Sequence, residues 1–98
     1  MAQFDVWRTR DGDLVIDCQS ELLTHLNTRL VVPLLHADQF DVVAHRLNPL
    51  FTVEETSYVM YTQFAAAIPV SQLGEVVMSL NEEGLTITGA LDVLLTGV

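Results

Sequence analysis

The sequence contains no lysine, and its basic residues are four arginines set against thirteen aspartates and glutamates. The formal net charge is therefore −9 at pH 7. Proteins that bind nucleic acid directly need a basic surface that displaces counterions from the phosphates. We expect no direct nucleic-acid binding by this chain alone, but rather a partner that is basic or that binds through apolar surface.

Cysteine and long apolar runs are scarce as well. Cys18 is the only cysteine, which excludes a disulfide framework within the chain and a multi-cysteine metal site. No apolar run approaches the roughly 20 residues that span a bilayer, and the opening MAQFDVWRTR lacks the features of a secretory signal. Half of the residues are hydrophobic, so we expect one folded domain over residues 1–98, in the cytoplasm and not in a membrane.

Residue types that serve in catalysis are present but are not grouped. Ser20 and Cys18 have no local signature that joins them to a histidine and a carboxylate. Cys18 alternates with Leu14 and Ile16, which favours a buried structural thiol. The histidines lie in separate polar segments without metal-ligand spacing: His25, His36 and His45. The residues predict a protein-binding module, not an enzyme, with no catalytic site, no metal and no cofactor.

Alternating side chains predict antiparallel strands in the first half of the chain. Residues 4–9 and 14–19 form a predicted hairpin that turns at Asp11-Gly12, because this pair tolerates the positive φ of tight turns. Leu30–Leu35 predicts a strand that is buried on both faces. Pro33 lacks the N–H of a ladder bond, so it marks an edge or a bulge.

The second half adds another hairpin, predicted over residues 50–62, with an acidic tip at Glu54-Glu55-Thr56. Residues 38–47 fit either a short helix or an inserted β-excursion, and the pattern leaves both open. Residues 20–23 and 73–78 receive no assignment. The predicted fold class is mainly β, with five to seven antiparallel strands and one carboxyl-terminal helix.

The predicted helix is Leu85–Val98, whose apolar stripe recurs at steps of three and four: Ile87, Ala90, Leu91, Leu94 and Val98. Asn81 is the predicted N-cap. Gly84 and Gly89 weaken a helix by roughly 1 kcal/mol each, so tertiary packing is expected to hold it. We expect the face formed by Ile87, Leu91 and Leu94 to pack against the core and the tip, Thr96–Val98, to be exposed.

Several short segments occur in a distinctive order and spacing along essentially the whole chain: Gln3-Phe4 with Val6, Ile16–Ser20, Arg29–Leu34, Leu47–Pro49, Tyr58–Thr62, Ile68–Ser71, Leu73–Glu75 and Gly97-Val98. Together, these segments resemble the CcdB-type toxins of toxin–antitoxin modules. The resemblance implies an SH3-like barrel of the CcdB/PemK type with a small inserted sheet and a terminal helix, assembled as a homodimer. This agrees with the hairpins and the apolar helix predicted from the residues.

The function that the resemblance implies is that of a toxin which binds the A subunit of DNA gyrase and traps the enzyme with its DNA cleaved. Such a toxin itself makes and breaks no bond. A CcdA-like antitoxin wraps and neutralises the dimer. The pair represses its own operon, as in plasmid-maintenance modules.

Two sets of residues correspond to the binding sites of these toxins. The gyrase-contacting set maps to Thr96, Gly97 and Val98; Gly97 and Val98 match, whereas the family has tryptophan at the position of Thr96. The antitoxin-binding set maps to five other residues: Ser20, Leu22, Leu23, Asp92 and Leu95.

Two alternative functions stay open at this point. A messenger-RNA endoribonuclease of the MazF/Kid type shares this fold, and a basic cleft that gathers Arg8, Arg10 and Arg29 would favour it. The other alternative is a homologue that binds antitoxin without being toxic, and Thr96 is the feature that motivates it.

Overall fold

Seven strands and one α-helix form the regular structure of residues 2–98, the residues that this computed structural model describes. In chain order they are β1 (Asp5–Thr9), β2 (Leu14–Asp17), β3 (Thr28–His36), β4 (Leu50–Val53), β5 (Thr56–Met60), β6 (Ala66–Pro69), β7 (Leu73–Ser79) and α1 (Gly84–Thr96). Every strand pair is antiparallel. The predicted fold class, mainly β with a carboxyl-terminal helix, is confirmed.

The sheet is organised around β3, its longest strand. One edge of β3 pairs with β2, while its other edge pairs first with β6, over Thr28–Val31, and then with β5, over Leu34–His36. Pro33 lies where the pairing changes from β6 to β5, so its missing N–H removes no bond from either ladder. The predicted edge or bulge is therefore a junction within one continuous strand.

The sheet curls because β6 and β7, which pair with β3 and β1 respectively, are joined by a short connection. β6 pairs with β3, β7 pairs with β1, and only the 3-10 turn Val70–Gln72 separates β6 from β7. The concave face holds a small buried cluster of Val15, Val31 and Leu73, against which Trp7 and Ile68 pack. This is the half-barrel expected of an SH3-like fold.

The larger core lies on the opposite face of the sheet, beneath α1. Its fully buried members come from five strands and the helix: Val6, Ile16, Val32, Val53, Met60, Ile87 and Ala90. Ile87 and Ala90 form the inner stripe of α1, with Leu91 packed beside them. Leu94 was predicted to pack but is 40% exposed, so the last turn of the helix projects beyond the core.

Asn81 was predicted to be the N-cap of the helix, and this prediction was wrong because the α-helix begins at Gly84. Asn81 starts a 3-10 turn, Asn81–Glu83, and its N–H is bonded to the hydroxyl of Ser79. The α-helix starts at Gly84, and the ring of Phe4 lies against that position, where a Cβ would come within 2.9 Å of Cε2. Tertiary packing therefore leaves little room for a side chain at the first residue of the helix.

The structure shows the conformation of the segments that the sequence pattern left unassigned or open. Residues 73–78 lie in β7, and residues 20–23 contain a 3-10 turn. Residues 38–47 form turns and bends, so both open predictions for them were wrong. The buried side chain of Asn48 holds this segment, because Nδ2 donates to the Met60 carbonyl and Oδ1 accepts from the Val43 N–H, each at 3.0 Å.

The second hairpin is present as predicted, and β4–β5 is joined to the main sheet through β3. The small inserted sheet is thus an extension of the main one. Glu54 and Glu55 form its tip with positive φ values of 51° and 67°. Across the curl of the sheet, Glu54 Oε1 accepts from Arg8 Nη2 at 2.8 Å, which fastens the hairpin tip to β1.

Candidate functional site

The tip of the chain is exposed and yet held in one conformation. Gly97 adopts the left-handed conformation that ends many helices (φ 78°, ψ 13°), and its N–H donates to the Val93 carbonyl at 3.0 Å. The Thr96 hydroxyl donates back to the Asp92 carbonyl at 2.8 Å. Val98 is 70% exposed. The tip therefore presents the Val98 side chain, while the hydroxyl of Thr96 is occupied within the helix.

Arg46 holds the tip from the other side. Its Nη2 donates to the Val98 carbonyl oxygen at 3.0 Å, so the turn-rich segment 37–48 supports the last residue of the chain. A surface fixed before binding loses less conformational entropy when a partner docks on it. The role of Arg46 was not predicted from the sequence. The only feature that could have drawn attention to it is that it is one of four basic residues.

The first group of predicted antitoxin-binding residues lies after β2, on the 3-10 turn Glu21–Leu23. The Ser20 hydroxyl accepts from the Leu22 N–H at 3.2 Å and so caps this turn. Leu22 is 88% exposed and Leu23 is also exposed. A capped turn with two exposed leucines is an apolar ridge, which is the kind of surface that a partner can cover.

The second group, Asp92 and Leu95, lies on the outer face of α1. Leu95 is 77% exposed, and the same face carries the exposed side chains of Leu85 and Thr88. These residues follow one another at steps of three and four, so they form a continuous stripe along the helix. The stripe is apolar at both ends and carries one carboxylate.

The two groups lie at different ends of α1. The turn Glu21–Leu23 is tied to the chain start by the bond from Gln3 N–H to Glu21 Oε1, and the neighbouring Phe4 packs on Gly84. Asp92 and Leu95 follow Gly84 by about 12–17 Å along the helix axis, at 1.5 Å per residue. The structure therefore places both groups on the surface but does not bring them into one pocket.

Cys18 is a buried structural thiol, as predicted. Its side chain is almost fully buried, and Sγ lies 3.6 Å from the Ile16 carbonyl oxygen. Burial, and secondarily the charge of Asp17, raises the pKa of the Cys18 thiol from 9.0 to about 12. Because the thiolate is the nucleophilic form, this thiol is inert at neutral pH.

The three histidines are all solvent-exposed: His25, His36 and His45. Only His36 lies in a strand, where its ring stands 4.9 Å from that of Tyr58. Within residues 2–98, no three histidine, cysteine or acidic side chains come close enough to hold a metal ion. In the same residues, no helix is long and apolar enough to cross a membrane.

The arginines do not form the basic cleft that would favour a ribonuclease. Arg8 and Arg10 border one shallow depression together with Glu75, and Arg8 is paired with Glu54 and, at 3.7 Å, with Glu75. Arg29 lies elsewhere and is fully buried.

Arg29 is instead part of a buried ion pair that sequence reasoning missed. Its Nε donates to Oδ2 of Asp17 at 3.0 Å, and Nη2 lies 2.7 Å from the same oxygen. The signal was present in the alternation, because Asp17 shares the concave face with Val15, and Arg29 shares it with Val31. Arg29 lies two residues before Val31, the register partner of Asp17, so the opposite charges are diagonal neighbours on one face of two paired apolar strands.

Comparison with known protein families gives one match that covers almost the whole chain. The family model described as CcdB protein matches residues 3–97 of the 98 residues. The match includes both groups of predicted antitoxin-binding residues and extends to Gly97 in the tip.

Proposed function

This chain belongs to the CcdB family, whose members are toxins of toxin–antitoxin systems, and on that premise we propose that it binds the A subunit of DNA gyrase. In this proposal a homodimer of the protein holds gyrase in the state in which its DNA is cleaved and covalently attached. A CcdA-like antitoxin neutralises the dimer by binding to it.

The observation that carries this proposal is the tip. Gly97 and Val98 are the residues that match the gyrase-contacting end of these toxins, and they lie on the surface with their backbone fixed by Val93 and Arg46. Such an exposed apolar residue on a fixed backbone suits an interface anchor. Thr96 is small where the family has a large aromatic, so the contact would depend on Val98.

The proposed mechanism is selective binding. A toxin that binds both states of gyrase equally would leave their ratio unchanged, however tight the binding. To trap the cleaved state, the tip must make contacts that only this state offers. The inert Cys18 thiol, the separate histidines and the buried Arg29 support a role in binding over one in catalysis.

The position of Leu95 suggests how an antitoxin would neutralise the toxin. Leu95 belongs to the proposed antitoxin surface and immediately precedes Thr96. An antitoxin seated on Asp92 and Leu95 would therefore cover the start of the tip and compete with gyrase. The second contact, on Leu22 and Leu23, lies at the other end of α1, which fits an antitoxin segment that is extended.

The first experiment is a DNA supercoiling and cleavage assay with gyrase from the source organism, with and without the protein. We expect cleaved DNA to accumulate after the reaction is quenched with detergent. A chain that lacks residues 96–98 is expected to fold and to lose this effect. If the intact, dimeric protein causes no cleavage, the gyrase assignment is wrong and antitoxin binding becomes the leading function. If the truncated chain causes as much cleavage as the intact one, the tip is not the gyrase-binding site.

The antitoxin surface is tested by binding of the cognate antitoxin to Leu22→Ser and Leu95→Ser. Both side chains are exposed, so neither substitution should affect folding. We expect each variant to bind the antitoxin more weakly. Leu50→Ser, which removes another exposed leucine from the edge strand β4, is the matched control and should bind normally. Normal binding by both Leu22→Ser and Leu95→Ser would contradict the assigned surface.

A further inference from the structure

A cavity of about 350 Å³ opens at the end of the half-barrel where β1 turns into β2. Its wall is mostly apolar and is formed by Val15, Pro33, Leu35 and Ile68. Phe64, which is more than half exposed, stands at its border. A concave apolar site of this volume is within the usual range of ligand pockets.

The mouth of the cavity is acidic. Asp11 and Asp13, both exposed, belong to the turn between β1 and β2 and line the same opening. The turn is held by backbone atoms and the Thr9 hydroxyl, so neither carboxylate is used in it. Among residues 2–98 neither carboxylate has an ion-pair partner, and the Nε of Arg10 is bonded to the Ser71 carbonyl.

We propose that this cavity is a docking site for a basic segment of a partner protein. One aliphatic side chain of the segment enters the apolar cavity, and flanking lysines or arginines pair with Asp11 and Asp13. The apolar wall supplies affinity through burial, and the two carboxylates select for positive charge next to the anchor.

A second copy of this chain is a poor occupant. It has no lysine, and each of its four arginines already has a contact: Arg29 is buried against Asp17, Arg8 is paired with two glutamates, Arg46 donates to the Val98 carbonyl, and Arg10 donates to the Ser71 carbonyl. Nucleic acid is excluded by repulsion, because phosphates would meet two aspartates on a chain of net charge −9. The negative charge at the mouth of the cavity therefore favours a cationic protein segment as the ligand.

The site is separate from the first group of residues proposed to bind the antitoxin. Asp13 precedes β2 and Ser20 follows it, so the cavity and the turn Glu21–Leu23 lie at opposite ends of that strand. The inference does not depend on the gyrase assignment, because it uses only the cavity and its charge.

The test uses the whole protein and three synthetic pentapeptides, followed by amide chemical shifts in NMR spectra. The probe is acetyl-RRLRR-amide, and the comparisons are acetyl-RRSRR-amide, which lacks the apolar anchor, and acetyl-EELEE-amide, which reverses the charge. We expect the first peptide to shift the amides of Asp11, Asp13, Val15 and Ile68. The serine peptide should bind about tenfold more weakly or worse, and the acidic peptide should not bind.

Two double variants separate a docking site from general attraction to an acidic protein. Asp11→Asn/Asp13→Asn keeps the backbone bonds of the turn and removes the charge at the mouth. Glu82→Gln/Glu83→Gln removes the same charge from an exposed turn elsewhere. We expect only the first variant to lose binding of acetyl-RRLRR-amide. The proposal is overturned if both variants lose it equally, if shifts spread over all acidic surfaces, or if none occurs at the cavity.

Discussion

Arg29 donates its Nε hydrogen to Oδ2 of Asp17 at 3.0 Å, and both side chains are fully buried in the half-barrel. Oδ1 of Asp17 also accepts from the Gln19 N–H, at 3.1 Å. The pair ties the end of β2 to the start of β3, just before the turn that carries Leu22. Its burial makes it the most sensitive polar contact among residues 2–98.

We predict that Arg29→Met lowers the free energy of unfolding by about 3–5 kcal/mol, because it leaves the Asp17 carboxylate buried without its cation. Urea denaturation measures the change. The double variant Asp17→Val/Arg29→Met should recover most of the loss, since no charge is then buried. Arg8→Met, which breaks a partly exposed pair, is the control and should cost less than about 1 kcal/mol. Equal losses for Arg8→Met and Arg29→Met would contradict this account.

We predict that stability falls at alkaline pH because of Cys18. Burial raises the pKa of its thiol to about 12, so between pH 9 and 12 the unfolded chain loses a proton that the folded protein retains. The free energy of unfolding should therefore be unaffected by this group below about pH 9 and then fall by up to ~1.4 kcal/mol per pH unit. Denaturation curves from pH 7 to 10.5 measure it. Cys18→Ala should remove this part of the slope, and an unchanged slope would show that another group causes it.

We predict opposite effects of alanine at two glycines of α1. At Gly89 an added Cβ meets nothing within 4 Å, so Gly89→Ala should stabilise the protein by up to about 1 kcal/mol through helix propensity. At Gly84 the Cβ would lie 2.9 Å from the Phe4 ring, so Gly84→Ala should destabilise despite the same gain in propensity. Thermal unfolding of the two variants decides this. Stabilisation by Gly84→Ala would mean that the Phe4 ring moves aside for the added Cβ at little cost.

We predict that Val98→Asp abolishes trapping of cleaved gyrase, because a charge would replace the exposed apolar anchor of the tip. The cleavage assay should show at least a tenfold loss, which corresponds to about 1.4 kcal/mol or more. Leu85→Asp is the matched control, since it places the same charge on an exposed leucine at the other end of α1. Equal activity of the two variants would argue against a specific contact at the tip.

Local patterns were sufficient for the hairpins, the helix and the buried thiol. The strand β7 was missed because its pairing with β1 shifts register after Val6 and again after Arg8, which breaks the alternation. Gly74 also interrupted the pattern, but it is required there, since a Cβ would lie 2.7 Å from the Arg8 carbonyl oxygen. A neighbour distant in sequence decides both features, so no local pattern predicts them.

The candidate site shows the same division. The exposure of Val98 was an expectation from the apolar tip, whereas its contact with Arg46 joins residues 52 positions apart. The apolar segment at Leu22 and Leu23 fitted a binding edge, but its distance from Asp92 depends on how Phe4 seats the helix. The sequence shows which residues are apolar, but it does not show how far apart two surfaces lie in the folded protein.

The pairing of β1 with β7 also bears on how the protein is made. Asp5 pairs with Ser79 and Thr9 with Leu73, so the first strand acquires one of its two neighbours only after roughly seventy further residues have been added. Contacts of such separation slow folding, because a long loop must close first. At ~5–20 residues per second, the ribosome holds an incomplete barrel for several seconds. A nascent chain in that state lacks β7 and α1, so the larger core stays uncovered until nearly all of the 98 residues have been added.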